Sequence, residues 1–416
     1  MQSRSFKPQL ETLDGRIVPA GTISLSASGV LTIQGAAGAI IYIGPNQTHS
    51  NQTDAIVQVG SNVNSKTFTT SSIHSIQATG VGGGGEIVNA TSISMLANAG
   101  PGSDTIFGGY GTDTLQAGTG ADVLVARGIA DSLIGGSGAD TLYAGPGKDT
   151  LVAGSGPNVL IGGTGVDLLE AGTGNDTLYG GIGTETLIGG SGKDLLFGGT
   201  GTQLLESGSG NTTIVGGNGN QTLIATTGND SLYGGKGTQL LQAGNGNDIL
   251  VGGTGQQTLV AGNGNDQLVG GQGNQSLQAG DGNDTLWGGT GNDTIKAGNG
   301  KDQLIGGASG NQILQAGNGN DTIWGGTGND TMIAGNGNDI VQAGTGTQYI
   351  YGGSGNDTLV GGTGADYIDG RSGSDEIFGG TLASTLIGGQ GNDTIVGGAS
   401  HNDTIVTGPK HNSVFK

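Results

Sequence analysis

The sequence predicts an all-β fold: a parallel β-solenoid with two nonapeptides per turn and a degenerate β cap at its N-terminal end. Three observations predict it. From residue 99 to residue 407 the chain repeats, approximately, Gly-Gly-x-Gly-Asn-Asp-Thr-Leu-x, as in AGDGNDTLW (279–287) followed by GTGNDTIK (289–296). Two positions after each acidic position stands an aliphatic residue: Ile106, Leu115, Leu124, Leu133, Leu142 and onward to Ile405. Composition excludes other glycine-rich architectures. Glycine supplies 95 of 416 residues, yet there is no Gly-X-Y period and only 7 prolines, so the chain is not collagen-like. Aromatics are 4%, too few for a conventional globular core, which leaves a thin aliphatic column built from the repeats.

Taken in order, residues 1–21 form a targeting-like segment. MQSRSFKPQLETLDGRIVPA is basic at its start but has no apolar stretch of the kind a standard secretory signal needs. Residues 22–98 read as short strands (TISLSA, VLTIQG, AIIYIG, AIVQVG, KTFTTS, HSIQATG, EIVNATSISML) separated by Gly, Asn and Ser turns. They lack the acidic phase and are expected to cap the first repeat, since a bare solenoid end exposes an unpaired strand edge. Residues 99–407 hold about 34 nonapeptides. Asp104 and Asp403 are separated by 33 intervals of nine once single-residue insertions near Ala308 and Ser400 are removed. Three-residue strands with only the middle residue buried fit this period, and about seventeen stacked turns would give a rod on the order of 80 Å long. Residues 408–416, with Pro409 and two lysines, would close the other end.

The chemistry lies in the turn. Glycine at the first, second and fourth positions permits positive φ and inward-curled carbonyls. The aspartate at position six adds carboxylate oxygens. Clustered carbonyl and carboxylate oxygens with no nitrogen or sulfur ligand favour Ca²⁺. Gly-Asn-Asp is also ordinary turn chemistry, but that does not account for one Asp phase held over three hundred residues. A net charge of −20 argues against nucleic acid as a partner, and the absence of cysteine removes disulfide and thiol chemistry. No apolar run is long enough to span a bilayer.

These nonapeptides resemble the RTX, or hemolysin-type calcium-binding, repeat G-G-x-G-x-D-x-U-x, over about three quarters of the chain. The resemblance implies a parallel β-roll with Ca²⁺ between successive turns on one edge, folding on exposure to calcium outside the cell. The segment FKPQLETLDGRIVPA similarly resembles a short N-terminal motif of planctomycete extracellular proteins, with Asp14 where Glu is usual. Together these point to an extracellular or cell-surface location.

Because repeats eighteen apart stack, the two edges can be read separately. Candidate metal ligands on edge A are Asp104, Asp122, Asp140, Asp176, Asp194, Asp230, Asp248, Asp266, Asp284, Asp302, Asp321, Asp339, Asp357, Asp375 and Asp393, with Asn158 and Thr212 as interruptions. On edge B they are Asp113, Asp149, Asp167, Asp293, Asp330 and Asp366. Edge B departs from the family pattern: Gln203, Gln221, Gln239, Gln257 and Gln275 follow one another there, and Gln312 and Gln348 alternate with aspartates. Stacked carboxylates repel by around 0.8 kcal/mol even at water's dielectric. Edge A therefore needs a divalent ion, whereas Gln203–Gln275 should stack as an amide ladder without metal. Arg127 and Ile129 replace turn glycines before Asp131, and Thr226 replaces one before Asp230. Thr212, with Gln203 and Gln221, marks a stretch expected to be calcium-free and a mechanical seam.

The residue three after each edge A position points outward and is mostly apolar, including Phe107, Tyr143, Tyr179, Phe197, Tyr233, Trp287 and Trp324. This stripe is a candidate surface for a protein partner or self-association, although β propensity alone would also favour such residues. Enzyme activity is not expected. His49, His74, His401 and His411 form no H-E-x-x-H, no G-x-S-x-G occurs, and no phosphate loop is present. The function read from the sequence is a calcium-binding extracellular repeat protein acting as scaffold or adhesin. Two other readings stay open: a metal-independent, glutamine-laddered solenoid for surface assembly or ice binding, and a remnant of a larger RTX toxin or secreted enzyme.

Overall fold

The computed structural model describes residues 20–415, so the planctomycete-like motif lies almost wholly outside the described residues. The chain divides into two compact units, Met1–Asp176 and Thr177–Lys416. The expected seam around Thr212 falls inside the second of these.

The first unit begins with eight strands: β1 (Gly21–Leu25), β2 (Val30–Gly35), β3 (Ile40–Pro45), β4 (Gln52–Val59), β5 (Asn62–Thr69), β6 (Ser75–Thr79), β7 (Glu86–Asn89) and β8 (Met95–Pro101). Two parallel columns start here. One runs β2, β6, β8 and on to Thr114–Thr119; the other runs β3, β7, Thr105–Phe107 and Val123–Val125. The remaining strands are antiparallel: β1 pairs with β2, β3 with β4, and β4 with β5. Lys66 and Asn64 on β5 donate to the carbonyls of Ile23 (2.6 Å) and Gly21 (2.9 Å) on β1, so the hairpin closes over the first turn. The cap thus satisfies polar groups that a bare solenoid end would leave open. EIVNATSISML is not one strand but two. Asn89 accepts from the Thr91 N–H (3.0 Å) and donates to the Ile93 carbonyl (2.9 Å), which turns the chain between β7 and β8.

From Thr105 the repeat takes over, and each strand pairs in parallel with the one eighteen residues on, as in Leu124↔Leu142 and Leu133↔Leu151. The aliphatic position faces inward. Ile106, Leu115, Leu124, Leu133, Leu142, Leu151, Leu160 and Leu169 are fully buried, with Ala117, Ala144 and Ala153 filling the corners beside them. Each buried leucine contributes about 1.5–3 kcal/mol from burial.

The second unit repeats this plan from Leu178 to Ile395, every aliphatic position again fully buried. Many strands have the expected three residues with only the middle one buried, for example Leu195–Phe197 and Thr294–Lys296. Others, such as Thr200–Glu206 and Asn218–Ile224, extend through the turn, because the turn backbones themselves stack in register. The insertion at Ala308 is absorbed as a bulge: Gly289 pairs with Gly307, then Thr290 with Ser309. Near Ser400 the pairing likewise becomes nineteen apart, Thr385 with Thr404. The last described residues form the strand Ser413–Phe415, parallel to Thr394–Val396. Among the described residues no helix is long and apolar enough to cross a membrane.

The predicted outer stripe is present in each unit. In the second, Tyr179, Phe197, Val215, Tyr233, Val251, Val269, Trp287, Ile305 and Trp324 are successive register partners. The Tyr179 and Phe197 rings stack at 5.0 Å, nearly parallel.

Candidate functional site

The turn containing Asp284 shows how the site is built. Gly282, at its fourth position, has φ +151°, and a Cβ there would lie 1.5 Å from the Gly264 carbonyl oxygen of the turn below. Only glycine allows the turns to stack this closely. The Asp284 carboxylate then reaches down: its Oδ1 accepts the Asp266 N–H at 2.8 Å, while the Asp284 N–H donates to Asp302 Oδ1 at 2.8 Å. The same bond links every successive edge A pair from Asp230 to Asp393, at 2.7–3.1 Å. In the first unit it joins Asp104, Asp122, Asp140, Asn158 and Asp176 on edge A. On edge B it joins Asp113, Asp131, Asp149 and Asp167. One carboxylate oxygen of each aspartate is therefore a structural acceptor between turns.

The other oxygen is different. Among the described residues, sixteen aspartates have a buried Oδ2 with no hydrogen-bond partner: Asp104, Asp122, Asp140, Asp149, Asp167, Asp248, Asp266, Asp284, Asp293, Asp302, Asp321, Asp330, Asp339, Asp357, Asp375 and Asp393. All sixteen follow a turn whose fourth residue is a glycine at positive φ. A buried anionic oxygen left unsatisfied is costly, and sixteen in repeated register need a common cationic partner. No three acidic or imidazole side chains converge among the described residues, so a cation here would combine carboxylate oxygens with backbone carbonyls. That all-oxygen set fits Ca²⁺.

The electrostatics agree. Burial, with neighbouring carboxylates adding to it, pushes the carboxyls of Asp122, Asp149, Asp230, Asp266, Asp284, Asp302, Asp321 and Asp357 up to about 6. The same causes take Asp375 to about 7. Burial raises Asp140, Asp167, Asp248, Asp293, Asp330 and Asp339 as well. Without a cation these groups resist ionisation; a cation would restore it.

Four predicted ligands sit in turns closed by the protein itself. The Oδ2 atoms of Asp113, Asp176, Asp194 and Asp366 accept a glycine N–H from their own turns, from Gly109, Gly172, Gly190 and Gly362 respectively. Asp131 is closed in the same way by Gly128, in the turn where Arg127 and Ile129 displace glycines. For Asp113 burial still pushes the carboxyl up to about 6, against these N–H bonds. Asp230 completes the predicted set; its Oδ1 accepts the Thr212 N–H at 2.7 Å.

Two further ladders stand beside the aspartates. At position five, Asn283 Oδ1 accepts the N–H of Lys301 above (2.8 Å) while its own N–H donates to Asn265 Oδ1 below (2.8 Å), a ladder running opposite to that of the aspartates. At position three, Asn318 Nδ2 donates to Asn299 Oδ1 and Asn336 Nδ2 to Asn318 Oδ1, both at 2.6 Å. The recurrence of Asn at these positions is the signal in the sequence, and turn propensity alone does not disclose the ladders.

The glutamine ladder is shorter than expected. Gln203 donates to Glu185 Oε2, Gln221 to Gln203 Oε1 (3.0 Å) and Gln239 to Gln221 Oε1 (3.3 Å). It stops there, because Gln257 and Gln275 direct their amide nitrogens to backbone carbonyls and not to a neighbouring side chain.

Comparison with known proteins agrees with this geometry. The family model described as the RTX calcium-binding nonapeptide repeat (4 copies) matches in overlapping segments at residues 98–128, 127–160, 161–196, 179–214, 215–238, 242–274, 278–309, 307–341, 342–377, 351–385, 370–403 and 378–414. No curated protein matches the chain. With well over half of its length accounted for by that repeat, the chain belongs to the RTX calcium-binding nonapeptide repeat family.

Proposed function

We propose that this protein is a calcium-ordered scaffold or adhesin acting outside the cell or at its surface, and that it is not an enzyme. The observation that carries the reading is the set of sixteen buried Oδ2 atoms without a partner, each above a turn with a positive-φ glycine. Calcium bound there would neutralise the stacked carboxylates and brace neighbouring turns, its binding free energy becoming folding free energy. Edge A of the second unit, with ten consecutive aspartates from Asp230 to Asp393, is the principal metal edge. Extracellular calcium is abundant enough to fill modest-affinity sites. The outer stripe through Tyr179, Phe197, Tyr233, Trp287 and Trp324 supplies an aromatic face for a protein partner or a second copy.

The test is antibody labelling of intact cells that make the protein, in calcium and after washing with EGTA. Surface label retained in calcium and released by EGTA supports the reading. Label confined to the cell interior, or unaffected by EGTA, contradicts it.

A further inference from the structure

Edge B contains glutamines at positions where the repeat otherwise carries aspartate, and three of them adopt one arrangement. Gln312 Oε1 accepts the Asp293 N–H at 2.9 Å, the bond an aspartate makes through Oδ1. Its Nε2 donates to two backbone carbonyls: Gly291 of the turn below (2.7 Å) and Ser309 of its own turn (3.1 Å). Gln275 repeats this, with Oε1 on the Gln257 N–H (3.0 Å) and Nε2 on Gly255 (2.8 Å) and Gln272 (3.0 Å). So does Gln348, with Oε1 on the Asp330 N–H (3.2 Å) and Nε2 on Gly328 (2.8 Å) and Thr345 (3.2 Å).

In each case the carbonyls come from the fourth position of the lower turn and the third position of the upper one. An aspartate in the same slot leaves its second oxygen buried and unpartnered, as Asp293 and Asp330 do on this edge. Where an aspartate turn needs a positive charge between carboxylate and carbonyls, the glutamine turn supplies the partial positive charge of an amide N–H pair, covalently attached.

We infer that Gln275, Gln312 and Gln348 are built-in substitutes for a calcium ion, bracing their turns of edge B whether or not metal is present. The inference rests on the calcium reading above. Neighbours select this mode. The N–H of each of these glutamines is taken by the aspartate of the next turn: Asp293, Asp330 and Asp366 at 2.8–2.9 Å. Gln221 and Gln239 instead pass their amides along the side-chain ladder while still donating to turn carbonyls, Gly199 and Gly217, whereas Gln257, between two glutamines, donates to Gly235 without joining it. In the second unit, edge B therefore interleaves these metal-independent glutamine turns with the aspartate turns of Asp293 and Asp330, opposite a calcium-dependent edge A.

The test uses the full chain with Gln312→Asp and Gln312→Ala, and Gln348→Asp as an independent site should the first variant fail to fold. Bound calcium is counted by native mass spectrometry, and melting is followed in EGTA and in calcium. Gln312→Asp is expected to bind one more calcium ion than the parent, to melt lower in EGTA, and to recover in calcium. Gln312→Ala is expected to melt lower in EGTA, to gain no ion, and not to recover. Unchanged stoichiometry in both Asp variants, or unchanged melting of Gln312→Ala in EGTA, overturns the inference. A parent chain that binds no calcium at all would overturn the calcium reading and the substitution idea together. In that event, lowered melting of Gln312→Ala would still show that the amide braces its turns.

Discussion

Replacing Asp302 by asparagine should stabilise the metal-free protein and weaken the calcium-loaded one. Asp302 lies in the middle of the ten-aspartate run; its Oδ1 accepts the Asp284 N–H at 2.8 Å and its Oδ2 is buried without a partner. Asparagine keeps the first bond. Its amide nitrogen has a precedent on the same edge: Asn158 Oδ1 accepts the Asp140 N–H (2.9 Å) and Nδ2 donates to the Gly156 carbonyl (2.8 Å). Burial, together with Asp321, raises the Asp302 carboxyl from an ordinary 3.8 to about 6. At 1.36 kcal/mol per pH unit this disfavours the ionised form by up to about 3 kcal/mol. Screening by the nearby surface lowers the figure, so the gain from asparagine at pH 7.5 is on the order of 1–3 kcal/mol. The sign with pH follows from the raised value. The penalty is fully present above about pH 6, fades as the folded state takes up its proton, and is absent below the unfolded value of 3.8. Chemical unfolding in EGTA should therefore show a higher midpoint for Asp302→Asn at pH 7.5 and equality with the parent near pH 3.5. In calcium the order should reverse, with fewer ions bound. A variant destabilised equally in EGTA and in calcium would refute the assignment of Asp302 as a metal ligand.

Other perturbations separate the turn from the core. Gly282→Ala should unfold its neighbourhood in calcium and EGTA alike, costing about 3 kcal/mol or more, because its Cβ would lie 1.5 Å from Gly264 O. Gly60→Ala, with φ +56° and open space around it, should cost only about 1–2 kcal/mol by the same denaturation assay. Leu286→Ala removes a fully buried side chain and should lower stability by about 2–5 kcal/mol irrespective of metal. Calcium affinity measured by titration calorimetry should fall as pH drops below about 6, up to tenfold per unit for each proton displaced, since Asp266, Asp284 and Asp321 hold protons there in the metal-free fold.

The parallel β-solenoid, its aliphatic column, its acidic edge A and its glutamine-rich edge B were legible because each nonapeptide states the same rule and neighbours only confirm it. Leu286 and Asp284 occupy the places their phase implies, and even the insertion at Ala308 was visible as a slip in the count. Features decided by contact between turns were less legible. Whether a glutamine joins a ladder, as Gln221 does, or turns onto the backbone alone, as Gln257 and Gln312 do, is decided by contacts between turns that the repeat itself does not state. The closed turns of Asp113 and Asp366 look like metal turns in sequence, and differ only in glycine conformation and in a glycine N–H that points at the second oxygen. The N-terminal hairpin was beyond reach for another reason: alternating apolar strands do not disclose whether they pair antiparallel, as β3 and β4 do.

The most direct measurement is far-UV circular dichroism of the full chain in EGTA, followed through a calcium titration into the millimolar range, with binding measured in parallel by calorimetry. The β signal should grow in step with the calcium bound, with a residual β component in EGTA from the glutamine-braced turns of edge B. A spectrum already complete in EGTA, with no heat of calcium binding, would contradict it.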